Sequence, residues 1–408
     1  MKKWLALFLS LLTTMAFFAA CGSNNQAGNS QNNQKIERLN MSRLTDNIQE
    51  VLQYDISKNK LFGSAYYVYQ DGVEYEKYYG NTSLNAHMPI TNKTIFRLAS
   101  MSKPITAVAA LILVEREMLS LDDGVDKYIP AFANIKVQAD ANSATLPSKL
   151  PTIANILNHT SGIGSYFNKE ARKTASDKQT LDASIAFYIK NGLDFEPGTR
   201  QAYSGTGAFD VLTKIIEIVS GMDYLTFLQK EIFTPCGMVD STFLPNEEQE
   251  SRLVDMHTQV DGKNAVAPMP AGCIFEDYPS THYLGGAGLV STISDYAKFA
   301  KMLLNKGKTD TATILQEKTF NLLCTPQVPY EIMPQNERWG FGVRVITEDT
   351  YPYLPVGSFG WSGAYGSHFW IDPVNKIFAV YMKNSKVDGG SANESAVNFE
   401  RAVYSSIA

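Results

Sequence analysis

Ser100 and Lys103 stand three residues apart in "ASMSKPIT", residues 99–106, just ahead of the apolar run "ITAVAALILVERE". Residues three apart on a helix share a face, so this spacing sets an amine beside a hydroxyl. A lysine at the mouth of a buried helix is partly desolvated, which lowers its pKa and lets it act as a base near neutral pH. The helix N-terminus also favours negative charge on an attacked carbonyl oxygen. Pro104 is tolerated in a first turn. The chemistry on offer is attack by Ser100 with Lys103 as its base. The spacing alone is weak, because S-x-x-K arises by chance roughly once or twice in a chain of this size. "SKNK", Ser57 to Lys60, repeats it in a polar turn. The plain alternative is that Ser100 caps the helix and Lys103 snorkels to solvent.

Two further stretches could complete such a site. In "EPGTRQAYSGTG", residues 196–207, Tyr203 follows a Pro-Gly turn and precedes a helix. A tyrosine on a loop beside a lysine can relay protons, although most of the 21 tyrosines must be ordinary packing residues. In "GSFGWSGAYGSHFWIDP", residues 357–373, glycines alternate with aromatics at the start of a strand. Such a strand lets a ligand approach the backbone and offers it N–H groups; a bulged, tightly packed strand is the alternative.

Other chemistries lack their residues. There is no G-x-S-x-G elbow, no H-E-x-x-H, no G-x-G-x-x-G and no phosphate-binding loop of the Walker type. The five histidines, His87, His159, His257, His282 and His368, are scattered in sequence. Neither a metal nor a nucleotide cofactor is expected. The net charge of -5 comes without a basic stripe, which argues against nucleic acid as a partner.

The elements that must position these residues can be read along the chain. Residues 36–56 carry apolar side chains at mostly helical spacing. Asp71-Gly72 between two Tyr/Val-rich runs signals a hairpin. The helix behind Lys103 is apolar nearly all round, as a buried helix is. "GTGAFDVLTKIIEIVSG" closes on Gly221 as a C-cap, and "TISDYAKFAKMLLNKG" starts at Thr292 or Ser294 and ends before Gly307. "WGFGVRVI", "GSHFWIDP" and "KIFAVYMKN" are β-rich, and "NESAVNFERAVYSSI" ends the chain as a helix. The expected class is α+β: an antiparallel sheet flanked by helices, built from both chain ends (about 36–103 and 285–408), with a mostly helical insertion at about 104–284. A cleft is expected where the two parts meet.

The N-terminus reads as a targeting segment. Lys2 and Lys3 precede an apolar stretch that stops at Cys21, so residues 1–20 are expected to be a signal peptide. "FAAC" resembles the lipobox of bacterial lipoproteins, with Cys21 lipidated; a plain secretory signal is the alternative. Residues 21–35 are polar and low in complexity, a flexible tether. The expected location is the extracytoplasmic face of the cell membrane. Cys236, Cys273 and Cys324 remain, enough for one bridge or for three buried thiols.

Taken together, "FRLASMSKPITA", "LVEREMLSLDDGVDKYIPAF", "ILNHTSGI", "FEPGTRQAYSGTGAFDVLTKIIEIVSG" and "GGAGLVSTISDYAKFAKMLLN" resemble the serine β-lactamase-like and penicillin-binding superfamily, over about residues 36–408. The closest likeness is to its branch of class C β-lactamases, D-alanyl-D-alanine carboxypeptidases and β-lactamase-like esterases. The resemblance implies a β-lactamase/transpeptidase-like fold. It implies Ser100 as the acylated nucleophile, Lys103 as its base and Tyr203 as the tyrosine of Tyr-x-Asn. It places Trp361-Ser362-Gly363 at the Lys-Thr-Gly strand and makes the N–H groups of Ser100 and Ala364 the oxyanion hole. Two positions depart from the pattern. Gly205 stands where the family usually has asparagine, and Trp361 where it has the lysine that binds a penicillin or D-alanine carboxylate. An indole cannot supply that charge, and family esterases often carry tryptophan there. The expected function is an exported serine hydrolase acting on a small ester or amide. The alternatives are a carboxypeptidase or weak β-lactamase acting on cell-wall peptide or penicillin, and a non-catalytic binding protein on the same scaffold.

Overall fold

The computed structural model of the chain describes residues 36–85, 87–138, 144–164, 180–270, 273–275, 278–279 and 283–408. Residues 1–35, on which the expected signal peptide, tether and Cys21 fall, lie outside them.

The chain enters through helix α1 (Met41–Ser57), whose N-cap is Asn40: its side chain accepts from the Arg43 N–H. That cap starts the helix five residues later than periodicity suggests, and Leu39 instead bridges to Ile407. Strands β1 (Gly63–Gln70) and β2 (Val73–Gly80) form the hairpin at Asp71-Gly72. Both turn residues have positive φ, 48° and 91°, the conformation a two-residue hairpin loop requires.

After β3 (Ile95–Arg97) come helices α2 (Ser102–Glu115), α3 (Ile153–Leu157), α4 (Leu181–Asn191) and α5 (Gly207–Ser220). Gly221 ends α5 in the left-handed conformation with φ 68°. Short two-stranded ribbons at 257–266 and 273–279 interrupt this mostly helical stretch. The chain returns through β4 (Val290–Thr292), paired with β3, and α6 (Ile293–Leu304), capped by the Thr292 side chain. The last part supplies β5 (Glu337–Trp339), β6 (Arg344–Ile346), β7 (Phe359–Ser362), β8 (His368–Asp372), β9 (Ile377–Met382) and α7 (Glu394–Tyr404). "WGFGVRVI" is therefore two strands folded back at Gly340–Val343, where Gly342 takes φ 74°.

The sheet is antiparallel throughout, in the order β5-β6-β7-β8-β9-β1-β2, so both ends of the chain build it. Its two faces bury different layers. Tyr66, Val68, Trp370 and Tyr381 pack under α1 and α7 with Leu44, Ile48 and Phe399. Tyr67, Phe369 and Val380 face α6 and the helical part, where Tyr296 meets Phe369 edge-on at 5.1 Å. This two-faced burial is why β1 and β9 carry apolar residues on both sides.

Candidate active site

Ser100 sits at the end of a strained, heavily pinned turn. The β3–β4 pairing carries the chain to Leu98, whose N–H donates to Leu289 O at 2.9 Å. Ala99 then adopts φ 46°, a left-handed conformation that costs a residue with a Cβ about 1–2 kcal/mol. Ser102 Oγ holds the turn, donating to Ala99 O (2.7 Å) and accepting from the Leu289 N–H (3.0 Å). Tyr296 Oη donates to Met101 O at 2.9 Å. The residue flanking α2 on its N-terminal side is Met101, and no side chain caps the helix there. Ser100 is thus not a cap. The residue is 9% exposed, and its hydroxyl accepts from Lys103 Nζ at 3.5 Å.

Lys103 is fully buried and does not reach solvent. Its amine donates to Gly205 O at 2.6 Å and Gly286 O at 2.8 Å, besides Ser100. Burial lowers its pKa from 10.5 to about 7, opposed by the charge of Asp210 on α5. Asp210 is itself pushed up to about 8 by burial, against the pull of a Tyr188 hydrogen bond and Lys103. Two carbonyls orient the amine without adding charge, so it can lose its proton near neutral pH. The Ser57–Lys60 pair shows the contrast. Burial pulls Lys60 down, but the Glu394 hydrogen bond at 2.6 Å and the Asp388 and Asp55 carboxylates outweigh it and raise its pKa. A lysine so paired is no base.

Tyr203 lies against Lys103, with Nζ 4.8 Å from the ring centroid. Its hydroxyl accepts from the Trp361 indole N–H at 3.1 Å. Trp361 projects from β7 towards Tyr203 and also meets Trp339 of β5 at 4.4 Å. The structure therefore brings Ser100, Lys103, Tyr203 and Trp361 together. Gly363 follows directly after the strand, where an added Cβ would lie 2.3 Å from Leu98 O and 2.2 Å from Ser367 Oγ. Only glycine lets the strand end press on the nucleophile turn. Ala364 comes next, exposed at the turn after β7.

Ser362 is placed differently. It pairs with His368 across β7 and β8 and shares an Oγ–Nδ1 hydrogen bond with it at 2.7 Å. His368 Nε2 bonds Glu400 Oε1 of α7 at 2.9 Å, and Arg344 reaches the same oxygen at 3.3 Å. The hydroxyl of Ser362 thus lies on the α7 face of the sheet, opposite to Trp361.

Sequence reasoning missed His159, Trp339, Gly286 and Asp210. The signals were faint: a histidine inside a polar "NHTSG" loop, a glycine-rich "GGAG" before β4, and an aspartate among the apolar residues of α5.

A buried serine–lysine pair with a tyrosine, set between an antiparallel sheet and a helical part, defines the class of serine hydrolases and acyltransferases built on the penicillin-binding fold. The chain belongs to the Beta-lactamase family, whose model matches residues 44–400. It is 25% identical to "Esterase EstB" of Burkholderia gladioli, covering 86% of this chain and 93% of that one. It is 28% identical to "Penicillin-binding protein 4" of Amycolatopsis lactamdurans, covering 80% and 81%. Among solved structures it resembles "EstCE1, a hydrolase with promiscuous acyltransferase activity", with TM-score 0.76 and 25% identity over 89% of this chain and 99% of that one.

Proposed function

We propose that this chain is an exported serine hydrolase that cleaves a small, uncharged ester or amide through an acyl-Ser100 intermediate. The observation that carries the proposal is the fully buried Lys103 amine, held by two carbonyls beside Ser100 Oγ and brought down to about 7 by burial. Neutral Lys103 takes the Ser100 proton as Oγ bonds to the substrate carbonyl carbon, and the carbonyl electron pair moves onto oxygen. That oxyanion faces the N–H groups of Ser100 and Ala364. Collapse re-forms the carbonyl and breaks the bond to the leaving group, which takes the proton from Lys103 by way of Tyr203. Water repeats the sequence on the acyl-enzyme, releasing the acid and restoring Ser100.

Trp361, Trp339 and Tyr203 supply an aromatic wall where a lysine would bind a carboxylate. This favours uncharged acyl groups, and the similarity to a protein named as an esterase supports the same view. The test is a short p-nitrophenyl ester with an active-site phosphonate. Hydrolysis and labelling of Ser100, both absent in Ser100→Ala, are expected; no hydrolysis and no label would refute the proposal. The similarity to a penicillin-binding protein supports a second reading, a cell-wall D,D-peptidase or weak β-lactamase. Labelling by fluorescent penicillin at Ser100 would favour it. Among the described residues no helix is long and apolar enough to cross a membrane. We assign membrane attachment to a lipid on Cys21, so an alkyne fatty acid should label the wild type in cells and not Cys21→Ser.

A further inference from the structure

His159 brackets Tyr203 from both sides. It follows α3 in a loop and takes φ 61°. Its carbonyl accepts from the Ala202 N–H at 3.0 Å, and its Nδ1 accepts from the Ser204 N–H at 3.2 Å. The backbone is therefore held one residue before and one residue after Tyr203 by a single residue. The ring also packs against the tyrosine ring at 4.7 Å and against Trp339 at 4.3 Å. Ser204 is anchored in turn, its Oγ accepting from the Ala208 N–H in the first turn of α5 at 3.0 Å.

The imidazole is fully buried, and its Nε2 has no hydrogen-bond partner among the described residues. Because Nδ1 accepts, the neutral ring carries its proton on Nε2. A proton on Nδ1 would break the Ser204 bond. A buried, half-satisfied histidine is costly in a core, so structural packing alone gives it a poor rationale. We propose that His159 is a positioning residue for Tyr203: the Nε2-protonated imidazole and its own carbonyl clamp residues 202–204, and so fix where the phenol stands relative to Lys103 and Ser100. The inference rests on the role given to Tyr203 above. His159 does not touch the reacting atoms and acts through the tyrosine.

The experiment compares His159→Asn with His159→Gly in the full chain, using the p-nitrophenyl ester. Both residues tolerate positive φ, but only asparagine can return an acceptor near the place of Nδ1. His159→Gly is expected to lower kcat about 100-fold, the scale of a misplaced catalytic group, while KM changes less than about threefold. His159→Asn is expected to stay within about fivefold of the wild-type kcat. In a Tyr203→Phe background, His159→Gly should cost less than about threefold, since its effect runs through the phenol. Equal losses in the two His159 variants, or an undiminished loss in the Tyr203→Phe background, would overturn the proposal while leaving the hydrolase reading intact. Full activity in Tyr203→Phe would remove the role of Tyr203 and this inference with it. Should the glycine variant not fold, the imidazole nitrogen shifts of wild-type His159 decide: the Nε2–H tautomer supports the proposal, and an Nδ1–H or charged ring overturns it.

Discussion

The pH dependence of acylation is the sharpest test of the lysine base. Burial moves proton loss at Lys103 from 10.5 to about 7. That difference is worth about 5 kcal/mol between the charged and neutral amine. At pH 7 about half of the buried amine is neutral, against roughly one part in 3,000 for a lysine in water, so burial supplies about 10³-fold more base. Ester hydrolysis, read as kcat/KM, should therefore rise tenfold per pH unit below about 7 and flatten above it. Lys103→Met should abolish the limb and lower kcat/KM by about 10³-fold or more. A limb centred near 10, or a methionine variant with a tenth of the activity, would refute the reasoning. A stability consequence has a definite sign. The folded chain loses this proton near 7 and the unfolded chain near 10.5. Between those values the unfolded chain binds more protons, so stability rises with pH across that window and the penalty is full below 7. Lys103→Met should therefore raise the urea midpoint most at pH 6 and least near pH 10.

Three substitutions probe the strand. Ser362→Ala should leave KM for the ester nearly unchanged, because the hydroxyl bonds His368 behind the sheet, yet cost about 1–3 kcal/mol in urea unfolding by leaving a buried ring nitrogen unpaired. A large rise in KM would place that hydroxyl against the substrate. Trp361→Phe removes the indole N–H to Tyr203, worth about 1 kcal/mol, together with part of the ring packing against Trp339, and should lower kcat by roughly fivefold or more in the same assay. Gly363→Ala forces a Cβ against Leu98 O and Ser367 Oγ, and the displaced strand should cut the rate of phosphonate labelling about 100-fold with secondary structure by circular dichroism retained.

Much of the fold was written in local signals. Asp71-Gly72, Gly221 and the Thr292 cap each act through their own backbone geometry, so a short window suffices to find them. The start of α1 was misplaced by five residues because one hydrogen bond, from the Arg43 N–H to the Asn40 side chain, outweighs the apolar pattern before it. The candidate site was legible only where it is built of side chains in a recognisable order: Ser100, Lys103, Tyr203 and Trp361, which the fold brings together. The carbonyls of Gly205 and Gly286 carry no sequence signature, because every residue has one. The Ser362–His368–Glu400 chain was hidden by distance, since Glu400 joins it from the last helix. Strand alternation alone would have put Ser362 and Trp361 on opposite faces. It could not say which face held the candidate site until Tyr203 was located.

The two departures from the family pattern act on different halves of the reaction. Replacing asparagine by Gly205 removes a side-chain amide, but the Gly205 carbonyl still holds Lys103 at 2.6 Å. The base keeps its orientation through backbone, which no substitution of a side chain can remove. Likewise Gly286 holds the amine through its carbonyl, and an added Cβ there would lie 3.2 Å from Nζ. The lysine amine is thus held by the main chain while positions 205 and 361 depart from the family pattern. Trp361 completes that division: it gives up the charge that would read a carboxylate, and its N–H instead steadies Tyr203. A chain altered in this way keeps the buried serine–lysine pair on which the proposed acylation rests and has no lysine at position 361 to read a carboxylate. On the proposed reading, selection falls to the aromatic cluster of Trp339, Trp361 and Tyr203, which favours an uncharged acyl group over one that needs a lysine for its carboxylate.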